Sequence, residues 1–306
     1  MPARVRVPVR ADGQPTFVLP DELAIDTDVA TRVITDFIRS QLRQAGFERC
    51  VLGLSGGIDS ALVAHLVTKA IGPRNLLCVS MPYATSSAGS RTDAAAIVEQ
   101  LGCPSEVIEI SGIVDAAFGA ADRDGALGPE GPGASPIRRG NFMARVRMAI
   151  LYDRSVTFGG LVVGTGNKTE SLIGYTTLFG DSACAFNPIG DLYKSQVRQL
   201  AAALGVPAQV IEKAPSADLW PDQTDEAEGA FSYPVLDRVL FWRVDRRRSV
   251  DEVVALGFER ELVDRVDGMV ARSEFKRQVP PIAKLGPRTA GVDYLYPRRR
   301  PGSARS

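Results

Sequence analysis

Apolar and polar positions along this chain alternate between two kinds of spacing. Segments with apolar residues at helical spacing are separated by short continuous apolar runs, which are typical of buried strands. The pattern predicts, in order, helix 28–45, strand 50–54, helix 61–71, strand 76–81, helix 91–101, strand 106–110, helix 141–155, strand 161–164 and helix 191–204. Strands that alternate with helices predict a doubly wound α/β fold with a mostly parallel sheet. Helical spacing at 234–244 and 259–272 adds C-terminal helices.

The two ends of the chain carry little periodicity and bound the predicted domain. Residues 1–27 contain prolines and are weakly patterned, which predicts an N-terminal arm, and 286–306 form a Pro/Arg-rich tail. One domain is therefore predicted over 28–285. Inside it, the Gly- and Pro-rich stretch 119–140 predicts an irregular loop, and the acidic stretch 214–229 predicts an exposed loop that could close as a lid.

The turn after the first predicted strand reads Ser-Gly-Gly-Ile-Asp-Ser at 55–60. Ser55, Gly56 and Gly57 are small, so backbone N–H groups can surround an anion at the N-terminus of the following helix. A carboxylate at Asp59 would be repelled by a phosphate there unless a divalent cation lay between them, which suggests an Mg²⁺ ligand. The alternative is a tight turn in which Asp59 only interacts with the helix dipole.

A second turn of the same kind follows the strand at 161–164. It ends in a carboxylate, Glu170, early in a predicted helix. Because the carboxyl ends of parallel strands meet at one edge of the sheet, Glu170 and Asp59 would face the same phosphates. Lys194 lies near the start of another predicted helix, where the dipole disfavours a cation, and this indicates an anion nearby.

Composition and charge exclude several kinds of partner. The 306 residues are 45% hydrophobic and 24% charged with a net charge of zero, so neither nucleic acid nor another polyanion is an expected partner. No apolar run approaches the length of a membrane span, and no membrane partner is expected. The four cysteines show no paired spacing, which predicts reduced thiols and a cytoplasmic protein.

Several segments together resemble the ammonia-dependent NAD synthetases of the PP-loop ATP pyrophosphatase superfamily, and they occur in the same order. They are 54–60, 141–148, 164–170 with 180–181, 188–194, and 275–277 before 280–281. The resemblance covers about 28–285 and implies a Rossmann-like fold of the adenine nucleotide α-hydrolase type. It also implies that the carboxylate of deamido-NAD is joined to AMP from ATP, with release of pyrophosphate, before ammonia displaces AMP. Family members are homodimers that use Mg²⁺.

The resemblance also implies roles for individual residues. ATP contacts fall on Gly53, Ser55, Gly56, Gly57, Asp59, Ser60, Thr165, Lys194 and Ser216. Asp59 and Glu170 would hold Mg²⁺. The implied catalytic residues are Asp59, Glu170, Lys194 and Asp181. Contacts to deamido-NAD fall on Arg145, Arg147 and Lys276. Asp181 corresponds to the acidic residue near the ammonia site, and the hypothesis is that it takes a proton from ammonium.

Three positions differ from the family pattern on the deamido-NAD side. Leu178, Ala185 and Phe275 stand where the family usually has Lys, Asp and His. A PP-loop ligase that amidates a different carboxylate is therefore the alternative function. An RNA-modifying PP-loop enzyme is a weaker alternative because the net charge is zero and the catalytic cysteine pair that such enzymes often carry is missing. Only about fifty residues precede Ser55, too few for an amidase domain, so free ammonia or ammonia from a separate glutaminase is the expected donor.

Overall fold

The computed structural model of the chain describes residues 19–124, 136–214 and 231–293. The helices are α1 (Thr27–Ala45), α2 (Ile58–Ile71), α3 (Ala88–Leu101), α4 (Ser111–Asp124), α5 (Pro136–Phe158), α6 (Lys168–Ile173), α7 (Lys194–Ala203), α8 (Ala208–Glu212), α9 (Tyr233–Leu240), α10 (Val250–Ala255) and α11 (Arg260–Arg272). The strands are β1 (Arg49–Gly53), β2 (Leu76–Ser80), β3 (Ser105–Val107) and β4 (Gly160–Val163). They form one sheet in the order β3-β2-β1-β4 with every pairing parallel, which confirms the predicted doubly wound α/β class.

The sheet is covered on both faces because successive strand residues point to opposite sides. Cys50, Leu52 and Cys78 pack on one face in a core shared with α1, α2 and α7. Val51 and Leu77 pack on the other face with residues of α4 and α5. Strands buried on both faces read as continuous apolar runs, which explains the pattern in the sequence.

The C-terminal helices were predicted and are confirmed, and they form a third core. Leu236, Val253 and Val263 are fully buried in this cluster, which also includes Tyr193 and Ile173 from the segments around α6 and α7. A π-helical turn, Phe241–Asp245, follows α9. None of the described helices combines the length and the apolar character that a bilayer-spanning helix needs.

The prediction of an irregular loop over 119–140 is wrong at both ends. Residues 119–124 belong to α4 and 136–140 to α5, whereas 125–135 lie outside the described residues. Ala120 and Ala121 are strong helix formers that extend α4, and Pro136 occupies the first position of α5, where its missing N–H group costs no hydrogen bond. The prediction from the number of glycines and prolines therefore placed the end of α4 too early and the start of α5 too late.

The last residues of the predicted N-terminal arm dock onto the domain. Leu23 is 1% exposed. The backbone N–H of Ile25 donates to Gln199 Oε1 (3.1 Å), and Gln199 Nε2 donates to the Ile25 carbonyl (2.7 Å). The arm therefore contacts α7 through 19–26, whereas 1–18 lie outside the described residues. The boundaries at 27 and 286 stay predictions.

Candidate active site

The two turns singled out in the sequence lie side by side at the edge of the sheet. β1 and β4 are hydrogen-bonded neighbours, with Leu52 opposite Val163. The strand order reverses between these strands, because the chain proceeds outward from β1 to β3 and then returns to place β4 on the other side. Such a reversal opens a crevice beyond the carboxyl ends of the strands. The turns at 54–57 and 164–167 border it.

The turn after β1 is fixed by its own hydroxyl groups. Ser60 Oγ donates to the Gly57 carbonyl (3.0 Å) and lies 3.1 Å from Ser55 Oγ, which accepts the N–H of Gly57 at 3.2 Å. Gly56 has φ +81°, and a Cβ there would lie 2.2 Å from the carbonyl oxygen of Ser90 on α3. Only glycine fits this position.

Three of the predicted catalytic side chains meet in the crevice. Lys194 Nζ lies 2.6 Å from Asp59 Oδ2 and 3.0 Å from Glu170 Oε1. The Lys194 side chain is 4% exposed, so its ammonium group pairs with the two carboxylates away from bulk water. The structure therefore brings Asp59, Glu170 and Lys194 together, and the ammonium group of Lys194 lies within hydrogen-bond distance of both carboxylates.

Asn167, which sequence reasoning did not single out, joins the two turns. Its Nδ2 donates to Asp59 Oδ1 (2.9 Å), and its Oδ1 accepts the Glu170 backbone N–H (3.0 Å). Glu170 Oε2 accepts the Asn167 N–H in return, which completes a capping box at the start of α6. The sequence signal was present, since Asn167 stands three residues before Glu170 in a predicted helix start.

Burial changes the titration of Glu170. Desolvation raises the pKa of Glu170 to about 7, and the charge of Asp59 also raises it, whereas Lys194 lowers it. A cation bound beside Glu170 would favour the ionised carboxylate. Among the described residues, no group of three or more His, Cys, Asp or Glu side chains could hold a metal ion. Two carboxylates are nevertheless the donor set that Mg²⁺ uses when substrate phosphates complete its coordination.

Beyond Glu170 the crevice continues into a pocket of about 290 Å³ whose lining includes Asp181, Cys184 and Lys276. Lys276 Nζ donates to the carbonyls of Gly174 and Thr176, both at 2.7 Å. Burial lowers the pKa of Lys276, and the charge of Asp181 opposes that shift. Lys276 therefore holds the 174–176 backbone at the pocket wall.

Asp181 closes the same wall. Its Oδ2 accepts the Thr176 hydroxyl (2.6 Å) and its Oδ1 accepts the Thr177 N–H (2.7 Å). Phe179, between these residues, has φ +58°, a conformation that costs a non-glycine residue about 1 kcal/mol or more. The wall is thus a tight turn stabilised by the Asp181 carboxylate.

The family model described as NAD synthase matches residues 30–280. The chain belongs to the NAD synthase family. It is 48% identical over 276 residues, 90% of this chain and 97% of the relative, to the NH(3)-dependent NAD(+) synthetase of Trichlorobacter lovleyi.

Two solved structures support the same assignment. The NH3-dependent NAD synthetase of Campylobacter jejuni, in complex with nitrate, has a TM-score of 0.71 at 34% identity and matches over 85% of this chain and 100% of that chain. The NMN synthetase of Francisella tularensis has a TM-score of 0.73 at 28% identity over 85% of this chain and 99% of that one. The shared architecture is therefore that of NAD synthetases.

Other positions with family-implied roles contact backbone carbonyls or pack against α5. Arg145 donates from Nε and Nη2 to the Leu178 carbonyl, at 3.3 and 3.2 Å, and Arg147 Nε donates to the Met81 carbonyl at 3.0 Å. Gly53 ends β1, and a Cβ there would lie 3.2 Å from Leu151 Cδ1, so this glycine allows close packing of α5.

The remaining implied residues are Thr165, which the structure describes, and Ser216, which it does not. Thr165 is half-buried in the turn after β4. Ser216 and most of the predicted lid, 215–229, lie outside the described residues. Of the three positions that the sequence analysis expects to differ from the family pattern, Phe275 is 59% exposed and Ala185 is exposed, whereas Leu178 is half-buried.

Replacement of Gly56 by alanine tests the fit of the turn. We expect Gly56→Ala to weaken ATP binding at least tenfold and to lower the free energy of unfolding by about 1–3 kcal/mol, because the new Cβ meets the Ser90 carbonyl and φ is positive. Calorimetric titration with ATP and urea unfolding measure the two effects. The control is Gly89→Ala on α3, where the nearest atom to a Cβ is Ser87 Oγ at 3.9 Å. Equal behaviour of both variants would contradict this account.

Asn167→Asp tests the bridge between the turns. The new carboxylate keeps the acceptor for the Glu170 N–H but faces Asp59 Oδ1 with like charge, so we expect kcat to fall about tenfold or more. Steady-state kinetics measure it. Asn75→Asp is the matched control, because Asn75 Nδ2 donates to the Ile71 carbonyl away from the crevice and its loss affects only stability. A kcat for Asn167→Asp equal to that of the control would disprove the role of the bridge.

Proposed function

We propose that this chain converts deamido-NAD to NAD by ATP-dependent amidation, with ammonia as the nitrogen donor and AMP and pyrophosphate as products. Membership of the NAD synthase family makes the chain a carbon–nitrogen ligase that uses ATP. The observation that carries the proposal is the convergence of Asp59, Glu170 and Lys194 on one crevice beside the Gly56 turn.

The carboxylate substrate has to be activated before ammonia can attack it. We assign the turn at 55–57 and the first residues of α2 to the ATP phosphates, because backbone N–H groups at a helix N-terminus are without intrahelical partners. Asp59 and Glu170 would hold Mg²⁺, which supplies charge neutralisation at the α-phosphate when it is bound. Lys194 contributes a further positive charge beside the same phosphates.

The pocket beyond Glu170 is assigned to the carboxylate substrate and to ammonia. Lys276 uses two of its three ammonium hydrogens for the carbonyls of Gly174 and Thr176, which leaves one for a ligand in the pocket. Asp181 lines the same pocket, and its carboxylate oxygens have further lone pairs that can accept a proton from ammonium. Arg145, whose Nε donates to the Leu178 carbonyl, is assigned to the dinucleotide on the basis of the family resemblance.

A second candidate substrate is the corresponding mononucleotide. The Francisella tularensis neighbour is an NMN synthetase, and its TM-score of 0.73 is as high as that of the NAD synthetase neighbour. Leu178, Ala185 and Phe275 differ from the usual family residues on the side of the site assigned to the dinucleotide. The 48% identity to a curated NAD synthetase over 90% of the chain favours deamido-NAD.

The assembly and the compartment are part of the proposal. Val107 on β3 and Tyr152 and Val156 on α5 are exposed apolar side chains that a homodimer interface would cover. All four cysteines are free thiols, in agreement with a reducing cytoplasm. Free ammonia, or ammonia from a separate glutaminase, is the proposed nitrogen source.

Substrate-dependent turnover distinguishes the two candidates. We expect pyrophosphate release with Mg²⁺, ATP and ammonium to depend on deamido-NAD and to yield NAD detected by mass spectrometry. A parallel reaction contains nicotinate mononucleotide in place of the dinucleotide. A kcat/KM that is higher for the mononucleotide would replace the proposed substrate, and no turnover with either would refute both.

Asp59→Asn tests the assignment of the metal ligand. We expect the variant to stay folded and to lose at least 10³-fold in pyrophosphate release, because the carboxylate that holds the cation is absent. Its control is Asp28→Asn, since Asp28 also lies in the first turn of a helix, α1, and is outside the crevice. If Asp59 only interacted with the helix dipole, both variants would retain pyrophosphate release.

A further inference from the structure

A buried carboxylate on α9 connects the two helices that carry Glu170 and Lys194. Asp237 is fully buried. Its Oδ1 accepts the Thr169 hydroxyl (2.6 Å), and its Oδ2 accepts both the backbone N–H (2.8 Å) and the hydroxyl (2.7 Å) of Ser195. Asp59, Glu170 and Lys194 together are called the ion cluster. Thr169 precedes Glu170 in sequence, and Ser195 follows Lys194. A single side chain therefore fixes the starts of α6 and α7 relative to each other.

The connection is closed by a bond between the two helix starts themselves. The backbone N–H of Lys194 donates to Thr169 Oγ1 (3.0 Å). The Thr169 hydroxyl donates its hydrogen bond to Asp237, so the same oxygen accepts a hydrogen bond from α7 and donates one to α9. Because the side chains of Glu170 and Lys194 project from these first turns, a change in this network changes the separation of the carboxylate and the ammonium.

The same face of α9 also contacts the ammonium group. Tyr233 precedes Asp237 by four residues, one turn of the helix, and is 1% exposed. Its ring centroid lies 5.2 Å from Lys194 Nζ, a distance at which an aromatic face attracts a cation. Asp237 thus fixes the backbone of the lysine while Tyr233 packs against its ammonium group.

A carboxylate in this position carries an energetic cost. Burial raises the pKa of Asp237, although the hydrogen bonds from Ser195 and Thr169 and the charge of Lys194 lower it. Such a network can be replaced by apolar side chains at little cost only when all of its members change together, because removal of one member leaves the others unpaired. The Asp237 carboxylate accepts hydrogen bonds from the starts of two helices, and this arrangement favours a role in orienting them.

We propose that Asp237 is a positioning residue, which acts through Thr169 and Ser195 to set the separation of Glu170 and Lys194. It does not touch the substrates. The C-terminal helices would then contribute to catalysis as the support of the ion cluster, although the turns after β1 and β4 supply the residues assigned to ATP. The proposal rests on the assignment of Glu170 and Lys194 to the reaction.

Asp237→Asn is the primary test. The amide keeps the shape and one acceptor, but its NH₂ group points at either the Ser195 N–H or the Thr169 oxygen that already accepts from Lys194. We expect kcat for pyrophosphate release to fall about 10- to 100-fold, the size of effect that a small displacement of catalytic groups produces. KM for the carboxylate substrate, which is assigned to the pocket at Asp181, should change less than about threefold.

Gln199→Met is the matched control for loss of a buried polar network. Gln199 is also fully buried on α7, and its amide exchanges two hydrogen bonds with Ile25 rather than with the site. We expect the substitution to lower Tm but to leave kcat within about twofold of the wild type at a temperature where both variants are folded. A kcat that falls with Tm equally in both variants would show that Asp237 is only structural, and would overturn the proposal.

A second pair of variants covers the case in which Asp237→Asn does not fold. Thr169→Val removes the hydroxyl that links Asp237 to the Lys194 N–H and keeps the side-chain shape. We expect Thr169→Val to lower kcat in the same way, and the double variant with Asp237→Asn, where folded, to be no slower than the slower single variant. An unchanged kcat for Thr169→Val overturns the proposal.

A structural readout separates this proposal from the assignment of function. In a crystal structure of Asp237→Asn or Thr169→Val, we expect the distance between Lys194 Nζ and Glu170 Oε1 to be longer than the present 3.0 Å. A longer distance with unchanged kcat would mean that the separation of Glu170 and Lys194 does not limit the reaction, which overturns the positioning role and leaves the proposed function, tested by substrate-dependent turnover, intact. An unchanged distance refutes the positioning role of Asp237.

Discussion

The buried ammonium of Lys194 is the constraint on which the rest of the site depends. A cation that is 4% exposed is stable only where anions meet it, and Asp59 and Glu170 do so at 2.6 and 3.0 Å. The two carboxylates can lie this close to each other because the ammonium group of Lys194 lies between them and reduces their repulsion. The three charges therefore stabilise one another, and the elements that carry them converge.

The sheet order provides that convergence. Because β4 returns to the side of β1 opposite β2, the turns after β1 and β4 become neighbours although more than a hundred residues separate them in sequence. Local capping then orients the charges. Asn167 caps α6 and binds Asp59, while the hydroxyls of Ser55 and Ser60 fix the turn before α2. Backbone topology sets the meeting point, and capping sets the geometry.

The fold class and the three charged residues were predictable from the sequence because each has a local signal. Asp59 and Glu170 follow apolar strands through turns, and Lys194 starts a helix against the dipole. The contacts of Asp237 had no such signal, since Thr169 is 68 residues away and the carboxylate stands in an ordinary amphipathic helix. The prediction of a loop over 119–140 failed for a different reason. It relied on the number of glycines and prolines, and such a count ignores that proline is favoured at the first position of a helix.

The pocket wall depends on backbone groups more than on the side chains of the turn at 176–181. Arg145 binds the carbonyl of Leu178 rather than its side chain, and Lys276 binds the carbonyls of Gly174 and Thr176. Asp181 holds the turn through Thr176 and the Thr177 N–H. The shape of this wall is therefore set by backbone groups that any residue at 178 supplies. A change of side chain at 178 would therefore leave intact the wall that positions Asp181 and Lys276.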